Sequence, residues 1–174
     1  MAVPVFLGLI ETDWLGLVGV AVSPQGLRRL RMDLDSSESF LRMNQVYEDG
    51  EFFYADEQTA FYTDQVRDYL TGRLRAFSLP IDWTVYTPFQ AAVLRETLRI
   101  PYGQTRSYGQ VAASIGKPRA SRAVGQAEKR NQIPLVIPCH RVIGSDGSLT
   151  GYGGKDNTEL KARLIAFEKG NAGS

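Results

Sequence analysis

At 174 residues and 43% hydrophobic composition, the chain is long enough to bury a core and fits one domain or two small ones. A single cysteine excludes an internal disulfide, and one neighbouring histidine leaves too few soft ligands for structural zinc, so we expect no metal and no cofactor. The apolar stretch 3–22 has no basic leader and is interrupted by acids and glycines, which argues against a signal peptide or membrane span and favours the cytoplasm.

Charge is distributed unevenly, although the formal net charge is only +1. The segment from Gln90 to Arg141 carries nine lysine or arginine residues against two acids, for a net charge of +7, whereas the remainder has 11 basic and 17 acidic residues and a net charge of −6. A basic module joined to an acidic one predicts a face that binds a polyanion. A solvated charged surface is the alternative that charge alone leaves open.

The first third of the chain has the pattern of β-strands. Apolar runs at 5–10 and 17–22, a turn sequence at 23–26 and alternating apolar residues over 30–34 together predict a small antiparallel sheet. From about 57 to 70, apolar residues recur at helical spacing. We expect this helix to pack on the sheet.

Two prolines, Pro80 and Pro88, flank a segment without helical periodicity, which predicts a linker or an extended strand. We therefore place a strand-rich N-terminal domain at 1–80, a linker at 81–87 and a C-terminal domain at 88–174. The predicted fold class is α/β (α+β), with a small N-terminal antiparallel sheet and helix followed by a mostly helical domain that contains a helix-turn-helix.

Capping boxes predict the first helices of the second domain. Thr87 and Gln90, with Pro88 between them, open a helix that runs to about Arg99, and the Ser107-to-Gln110 spacing opens a short helix to about 115. The last helix is expected at about 158–167, with a capping box from Asp156 to Glu159 and an apolar stripe at its inner face. The inner stripe and the residue that follows it are Leu160, Leu164, Ile165 and Glu168.

A turn at Gly116 separates the short helix from another at about 120–130, and such a pair is a helix-turn-helix candidate. Val124 and Ala127 on the second helix can face the core. Helical hairpins with one charged side are common, so this pattern alone does not decide between a DNA-binding face and an ordinary charged surface. The residues predicted to share the outer face are Arg119, Arg122, Gln126 and Lys129.

The only cysteine and the only histidine are adjacent, in the run from Ile133 to Val142 that we expect to be extended. A lone cysteine is usually a buried, inert hydrophobe. Here His140 and Arg141 follow Cys139 directly and can supply positive potential that favours the thiolate. We therefore expect a reactive thiolate beside the basic helix.

Several motifs lie between Pro88 and Glu168. They are Ile100-Pro101-Tyr102-Gly103-Gln104-Thr105, Ser107-Tyr108-Gly109, Arg122-Ala123-Val124-Gly125, Asn131, Pro138-Cys139-His140-Arg141-Val142, Gly151-Tyr152-Gly153-Gly154 and Glu168. Together these motifs are highly specific, they cover about half of the chain, and through them the chain from Pro88 to Glu168 resembles the O6-alkylguanine-DNA alkyltransferase family. The zinc ligands that some relatives carry in the first domain are absent here.

The resemblance implies that Cys139 accepts an alkyl group from guanine O6 irreversibly, once per molecule. It also implies that the thiol proton passes through a water to His140, which Glu168 orients, and that Asn131 fixes the turn that carries the cysteine. Tyr108 would hydrogen-bond the base and supply a proton; without the motif it would be assigned to the core. The residues implied to bind the substrate are Tyr152, Gly153, Gly154, Val142 and Pro134.

Because a stacked base cannot reach a protein thiol, the resemblance also implies nucleotide flipping, with Arg122 filling the vacated stack. Small residues would let the helix approach the narrow minor groove. Glu128 departs from the family pattern, in which this position is often apolar and near the base, and Gly153 replaces a serine of some relatives. The residues implied to contact DNA are Arg122, Ala123, Gly125, Ser121, Arg119, Ala120, Thr105 and Ser107.

The expected partner is double-stranded DNA with alkylated guanine, bound by a monomer; O4-alkylthymine as a second substrate and cooperative assembly on DNA stay open. Two other classes of protein are alternatives to the alkyltransferase. A non-catalytic alkyltransferase-like lesion binder lacks an acceptor cysteine, which this chain has. A turnover cysteine hydrolase or acyltransferase is disfavoured by the adjacency of Cys139 and His140 and by the basic helix.

Overall fold

The computed structural model describes residues 3–47, 50–153 and 156–173. It divides into two compact units, one that ends at Val85 and one that begins at Tyr86. Within those described ranges, no helix is both long enough and apolar enough to cross a membrane. The fold combines a sheet with separate helices, which confirms the predicted α/β (α+β) class.

The first unit is a four-stranded sheet with two helices. Its elements are β1 (Pro4–Thr12), β2 (Gly16–Ser23), β3 (Gly26–Leu34), α1 (Ser37–Tyr47), β4 (Glu51–Tyr54) and α2 (Asp56–Leu70). The strand order is β3-β2-β1-β4. The first three strands form the predicted antiparallel sheet, whereas β4 pairs in parallel with β1. The sequence patterns predict neither β4 nor α1.

Both helices of this unit pack on the sheet through fully buried side chains. Phe40 of α1 joins Val5, Leu7 and Ala21 in one buried cluster. Helix α2 lies very close to β1 at Gly8, where a Cβ atom would come within 2.3 Å of the Thr59 hydroxyl. Glycine in the middle of this strand therefore permits the close approach of the helix.

The segment between Pro80 and Tyr86 does not form the extended strand that we considered. Ile81 makes one isolated bridge to Leu27, and Trp83–Val85 is a short 3-10 helix. Asp82, which is 1% exposed, accepts a hydrogen bond from Ser23 at 2.7 Å. This contact between side chains fixes the end of the first unit against its own sheet.

The second unit is mostly helical, and its helices enclose a core that includes Val93, Val111, Val124 and Val142. A short parallel pair of strands, 106–107 with 142–143, joins the start of the helix-turn-helix to the residues after the cysteine. The elements are α3 (Pro88–Thr97), β5 (Arg106–Ser107), α4 (Tyr108–Ser114), α5 (Ser121–Lys129), β6 (Val142–Ile143) and α6 (Thr158–Ala172).

Both capping boxes that opened the predicted helices are present, at Thr87 with Gln90 and at Ser107 with Gln110. The box predicted at Asp156 is wrong: Asn157 caps α6 instead, because its side chain accepts the Leu160 N–H at 3.1 Å.

Between α4 and α5 the backbone turns at Gly116, with φ of +74°. That left-handed conformation favours glycine and ends the first helix of the pair.

Candidate active site

Cys139 lies in the wall of a cavity of about 650 Å³ in the second unit. Cys139 is the first residue of a short 3-10 helix, Cys139–Arg141, and is 5% exposed. Small-molecule sites commonly have volumes of about 300–1,000 Å³, so this cavity is large enough for a nucleobase. The cavity is lined by Tyr108, Gly109, Ser121, Arg122, Gly125, Gln126, Glu128, Lys129, Cys139, Gly144, Ser145, Asp146, Ser148, Thr150, Gly151, Tyr152, Gly153 and Lys161.

Asn131 fixes the backbone that leads to the cysteine. Its side-chain amide donates to the Ile137 carbonyl at 2.9 Å, and its oxygen accepts the Ile133 N–H at 3.0 Å. Within the loop, Leu135 has a φ of +73°, which is unfavourable for a side chain, and its N–H donates to the Tyr152 hydroxyl at 3.1 Å. Several buried hydrogen bonds therefore hold a strained loop in one conformation.

His140, which follows Cys139 in the sequence, forms a buried contact with Glu168. The His140 Nε2 and Glu168 Oε1 atoms are 2.7 Å apart. Arg141 donates to both oxygens of the same carboxylate, at 2.9 and 2.8 Å, and to the Ile100 carbonyl at 2.6 Å. The structure thus brings together the histidine and the glutamate that the sequence singled out.

Burial sets the ionisation of this pair. Burial lowers the pKa of His140 more than the hydrogen bond and charge of Glu168 raise it, so the imidazole is neutral. For Glu168, burial acts to raise the pKa, but hydrogen bonds from His140 and Arg141 outweigh it and the pKa falls. A neutral imidazole therefore faces an ionised carboxylate.

Two expectations for Cys139 are wrong. The residues Cys139–Arg141 form a 3-10 helix and are not extended. Burial, followed by the negative charge of Glu128, raises the pKa of the Cys139 thiol to about 12, although Asn131 and Lys161 act in the opposite direction. His140 and Arg141 do not favour the thiolate as predicted, because His140 is neutral and Arg141 is engaged with Glu168.

Tyr108 is half-buried at the start of α4, where it both packs on the core and lines the cavity. Its hydroxyl lies 2.6 Å from the Thr150 hydroxyl and accepts a hydrogen bond from Lys161 Nζ at 3.2 Å. Lys161 is 1% exposed and also donates to the Thr150 carbonyl at 3.2 Å. A buried ammonium group thus lies beside the phenol oxygen.

Lys161 was missed by the sequence analysis, which placed Leu160 and Ile165 on the inner stripe of the last helix. The buried residues of α6 are Lys161, Leu164 and Glu168, and their spacing of three and four defines one face. That spacing, counted back from Glu168, is the signal that could have found the lysine. Within the described parts of the chain, no three His, Cys, Asp or Glu side chains cluster as a metal site would require.

The outer face of α5 has the predicted orientation, since Arg122, Gln126 and Lys129 are exposed while Val124 and Ala127 are buried. Arg119 is also exposed, but it lies two residues before the helix begins. Of the residues implied to contact DNA, Ser121, Arg122 and Gly125 also line the cavity. The others do not line it: Arg119 and Ala123 are exposed, and three are half-buried at nearby helix starts or in the preceding loop. Those three are Thr105, Ser107 and Ala120.

The residues implied to bind the substrate divide into three groups. Tyr152 and Gly153 line the cavity. Pro134 and Val142 are buried and do not line it; Val142 instead packs in the hydrophobic core. Gly154 lies outside the described residues.

The sequence of the chain is similar to those of known methylated-DNA–protein-cysteine methyltransferases. Residues 88–170 match the family model described as the 6-O-methylguanine DNA methyltransferase, DNA binding domain. A Bacillus subtilis constitutive methylated-DNA–protein-cysteine methyltransferase is 50% identical over 60% of this chain and 62% of its own length. A Mycobacterium tuberculosis protein of the same name is 45% identical over 76% of this chain and 80% of its own length.

Solved structures extend the similarity over nearly the whole chain. A crystal structure of Mycobacterium tuberculosis OGT in complex with DNA has 36% sequence identity and a TM-score of 0.78, and the alignment covers 95% of this chain and 94% of that one. An O6-methylguanine-DNA methyltransferase from Pyrococcus kodakaraensis, at 22% identity and a TM-score of 0.64, shares the fold.

Proposed function

The chain belongs to the methylated-DNA–protein-cysteine methyltransferase family, and from that membership and the geometry around Cys139 we propose that it repairs O6-alkylguanine in DNA by irreversible transfer of the alkyl group to Cys139. The observation that carries the proposal is the position of the chain's single cysteine, in the wall of a base-sized cavity and directly before the buried His140–Glu168 pair. A soft sulfur nucleophile suits attack on an alkyl carbon.

In the reaction, a sulfur–carbon bond forms as the bond between the alkyl carbon and guanine O6 breaks. The electron pair of the broken bond stays on the guanine, which then takes up a proton. No base hydrolyses a thioether under these conditions, so each molecule reacts once. The thiol proton must leave before or during the attack, because the pKa of about 12 keeps the resting thiol neutral.

His140 is suited to accept that proton. Because the Glu168 carboxylate only accepts hydrogen bonds, the imidazole hydrogen belongs on Nε2, and the lone pair is then on Nδ1. Proton transfer from the thiol through a water molecule would create an imidazolium, which the adjacent carboxylate stabilises. Arg141 holds the carboxylate in place through two hydrogen bonds.

Tyr108 is suited to receive the developing charge on the base. Tyr108 lines the cavity and carries a hydroxyl donor, and the Lys161 ammonium 3.2 Å away stabilises negative charge on the phenol oxygen if its proton moves to the guanine. The backbone N–H of Gly153, another residue that lines the cavity, is a second candidate donor to O6.

Access to the cavity requires that the damaged nucleotide rotate out of the duplex. Arg122 is exposed on α5 and also lines the cavity, so one side chain can both contact DNA and occupy the vacated stack. Ser121, Ala123 and Gly125 on the same helix are small enough to admit it to a minor groove about 6 Å wide.

Three further features belong to the proposal. O4-alkylthymine is a second substrate to be assayed beside O6-alkylguanine. The chain acts as a monomer, and cooperative assembly would appear as a sigmoidal dependence of DNA binding on protein concentration. A reactive single thiol also needs a reducing compartment, for which the cytoplasm is the expected location.

The test is incubation with duplex DNA that carries a labelled methyl group on guanine O6, followed by mass measurement of the intact protein. We expect a gain of one methyl group per molecule, located at Cys139, and no transfer to a Cys139→Ser variant that still binds the duplex.

Two outcomes would overturn the proposal. Binding without any gain in mass would indicate a non-catalytic lesion binder. Release of more than one equivalent of methyl per protein molecule would indicate a turnover enzyme.

A further inference from the structure

Glu128 is an acidic residue in the wall of the cavity that contains Cys139, and no step of the proposed reaction uses it. It lies on α5, six residues after Arg122, and is 6% exposed. Its Oε1 is 2.5 Å from the hydroxyl of Thr97 on α3. Its Oε2 is buried and has no hydrogen-bond partner among the described residues.

The hydrogen bonds around Thr97 favour a neutral Glu128. The Thr97 hydroxyl lies 3.1 Å from the Val93 carbonyl and 2.5 Å from the Glu128 carboxyl, but it carries a single hydrogen. A carboxylic acid can donate to Thr97 while Thr97 donates to Val93, and both contacts are then satisfied. A carboxylate would leave one of the two contacts without a hydrogen.

The surroundings favour the same state. Burial raises the pKa of Glu128 to about 7, and the positive charge of Lys161 acts in the opposite direction. The other titratable or charged groups that line the cavity are Tyr108 on α4, Arg122 and Lys129 on α5, Cys139 on the 3-10 helix, Asp146 and Tyr152 in the loop that follows, and Lys161 on α6.

The charge of Glu128 acts directly on the nucleophile. After burial, a negative Glu128 is the next largest influence that raises the pKa of Cys139. It would also oppose the electron pair that the departing purine retains, because like charges in a low-dielectric cavity repel strongly.

We propose that Glu128 is a positioning residue that acts through Cys139: as a carboxylic acid bonded to Thr97 it permits thiolate formation, and as a carboxylate it suppresses it. The inference rests on the proposed function for its biological meaning, but its physical content concerns only the free protein. An apolar side chain at this position would leave Cys139 without this control by pH.

The test follows the rate at which iodoacetamide alkylates Cys139 in the free protein between about pH 6 and pH 9. In this reaction the thiolate sulfur bonds to the methylene carbon and iodide leaves, so the rate reports the fraction of thiolate. Glu128→Gln removes the charge but keeps an amide that can bond Thr97. Glu159→Gln, at an exposed position of α6, is the matched control.

We expect the wild-type and control rates to rise less steeply above about pH 7, where Glu128 ionises, while the Glu128→Gln rate keeps rising. Near pH 8.5 the variant should react roughly tenfold faster, because loss of a nearby negative charge lowers the pKa of the thiol. Thr97→Val should move the inflection to lower pH, because it removes the hydroxyl that accepts the hydrogen bond of the protonated Glu128.

Parallel pH profiles for wild type and Glu128→Gln would overturn the inference, as would an unmoved inflection in Thr97→Val. Because no DNA is present, these outcomes are independent of methyl transfer. If the profiles separate as expected but no variant accepts methyl from DNA, the proposed function fails and the inference stands.

Discussion

His140 and Glu168 are 28 residues apart in sequence, yet their Nε2 and Oε1 atoms lie 2.7 Å apart with both side chains at most 1% exposed. The same carboxylate accepts two hydrogen bonds from Arg141 and one from the Gly103 N–H at 3.1 Å. One buried negative charge therefore holds the end of α6, the cysteine segment and the loop before the helix-turn-helix together.

Replacement of Glu168 by glutamine should destabilise the fold as well as slow alkyl transfer. The substitution leaves the largely buried Arg141 cation without its counter-charge, and breaking a buried pair in this way typically costs about 3–5 kcal/mol. Urea denaturation measures the change, with Glu159→Gln on the same helix as the exposed control. A loss below about 1 kcal/mol, equal to that of the control, would contradict the prediction.

Acidification should destabilise the protein below about pH 6.5. The pKa values of His140 and Glu168 are both lowered in the folded state, so the unfolded chain, with values of about 6.5 and 4.3, binds more protons there. The stability that these groups contribute is present above those unfolded values and is lost as the pH falls.

Free energies of unfolding at a series of pH values from about 8 to 4 test this. The His140→Asn variant should lack the part of the loss that begins near pH 6.5. An unchanged stability of the wild type between pH 7 and 5 would argue against a neutral buried imidazole.

Replacement of Arg122 by alanine should slow repair of duplex DNA more than reaction with the free modified base, because only the duplex requires nucleotide flipping and a side chain to replace the base. Arg119→Ala is the matched control, since Arg119 is exposed beside the same helix but does not line the cavity. Alkyl-transfer rates on the two substrates give the comparison. Equal losses on both would assign Arg122 to the chemistry or the fold.

Methylation of Cys139 should lower the melting temperature. The added carbon stays at a residue that is 5% exposed, and overpacking a buried site costs about 1–3 kcal/mol. The resting thiol is neutral, so methylation removes no thiolate charge and the effect comes from packing alone. Thermal unfolding of free, methylated and benzylated protein measures the effect.

Cys139→Ala protein exposed to the same alkylated DNA is the control, and its melting temperature should not change. An unchanged or raised midpoint in both adducts of the wild type would contradict the packing argument.

Local sequence signals predicted much of the second unit. The capping boxes at Thr87 and Ser107 and the turn at Gly116 depend on neighbouring residues only, and all three are where the sequence places them. In the first unit, β4 has four residues and pairs in parallel with a strand distant in the chain, so no local pattern identifies it. Helix α1 has a weak signal in Ser36, whose hydroxyl accepts the Ser39 N–H.

The candidate site was less predictable, because its electrostatics depend on burial. Adjacency of Cys139, His140 and Arg141 suggested a thiolate, yet Arg141 binds Glu168 and the thiol is neutral. Glu128 stood out as an unusual residue, but its partner Thr97 is 31 positions away and belongs to another helix. The sequence indicates which residues form the site, but their protonation states depend on packing against residues that are distant in the chain.

The buried, neutral state of Cys139 also has a consequence for the lifetime of the protein. With a pKa of about 12, roughly one thiol in 10⁵ is ionised at pH 7, and oxidants and electrophiles in the cell react with the ionised form. A molecule that can react only once has no means of recovering from a wasted reaction. The low reactivity of the neutral Cys139 thiol therefore protects the one acceptor group of each molecule from side reactions until damaged DNA binds.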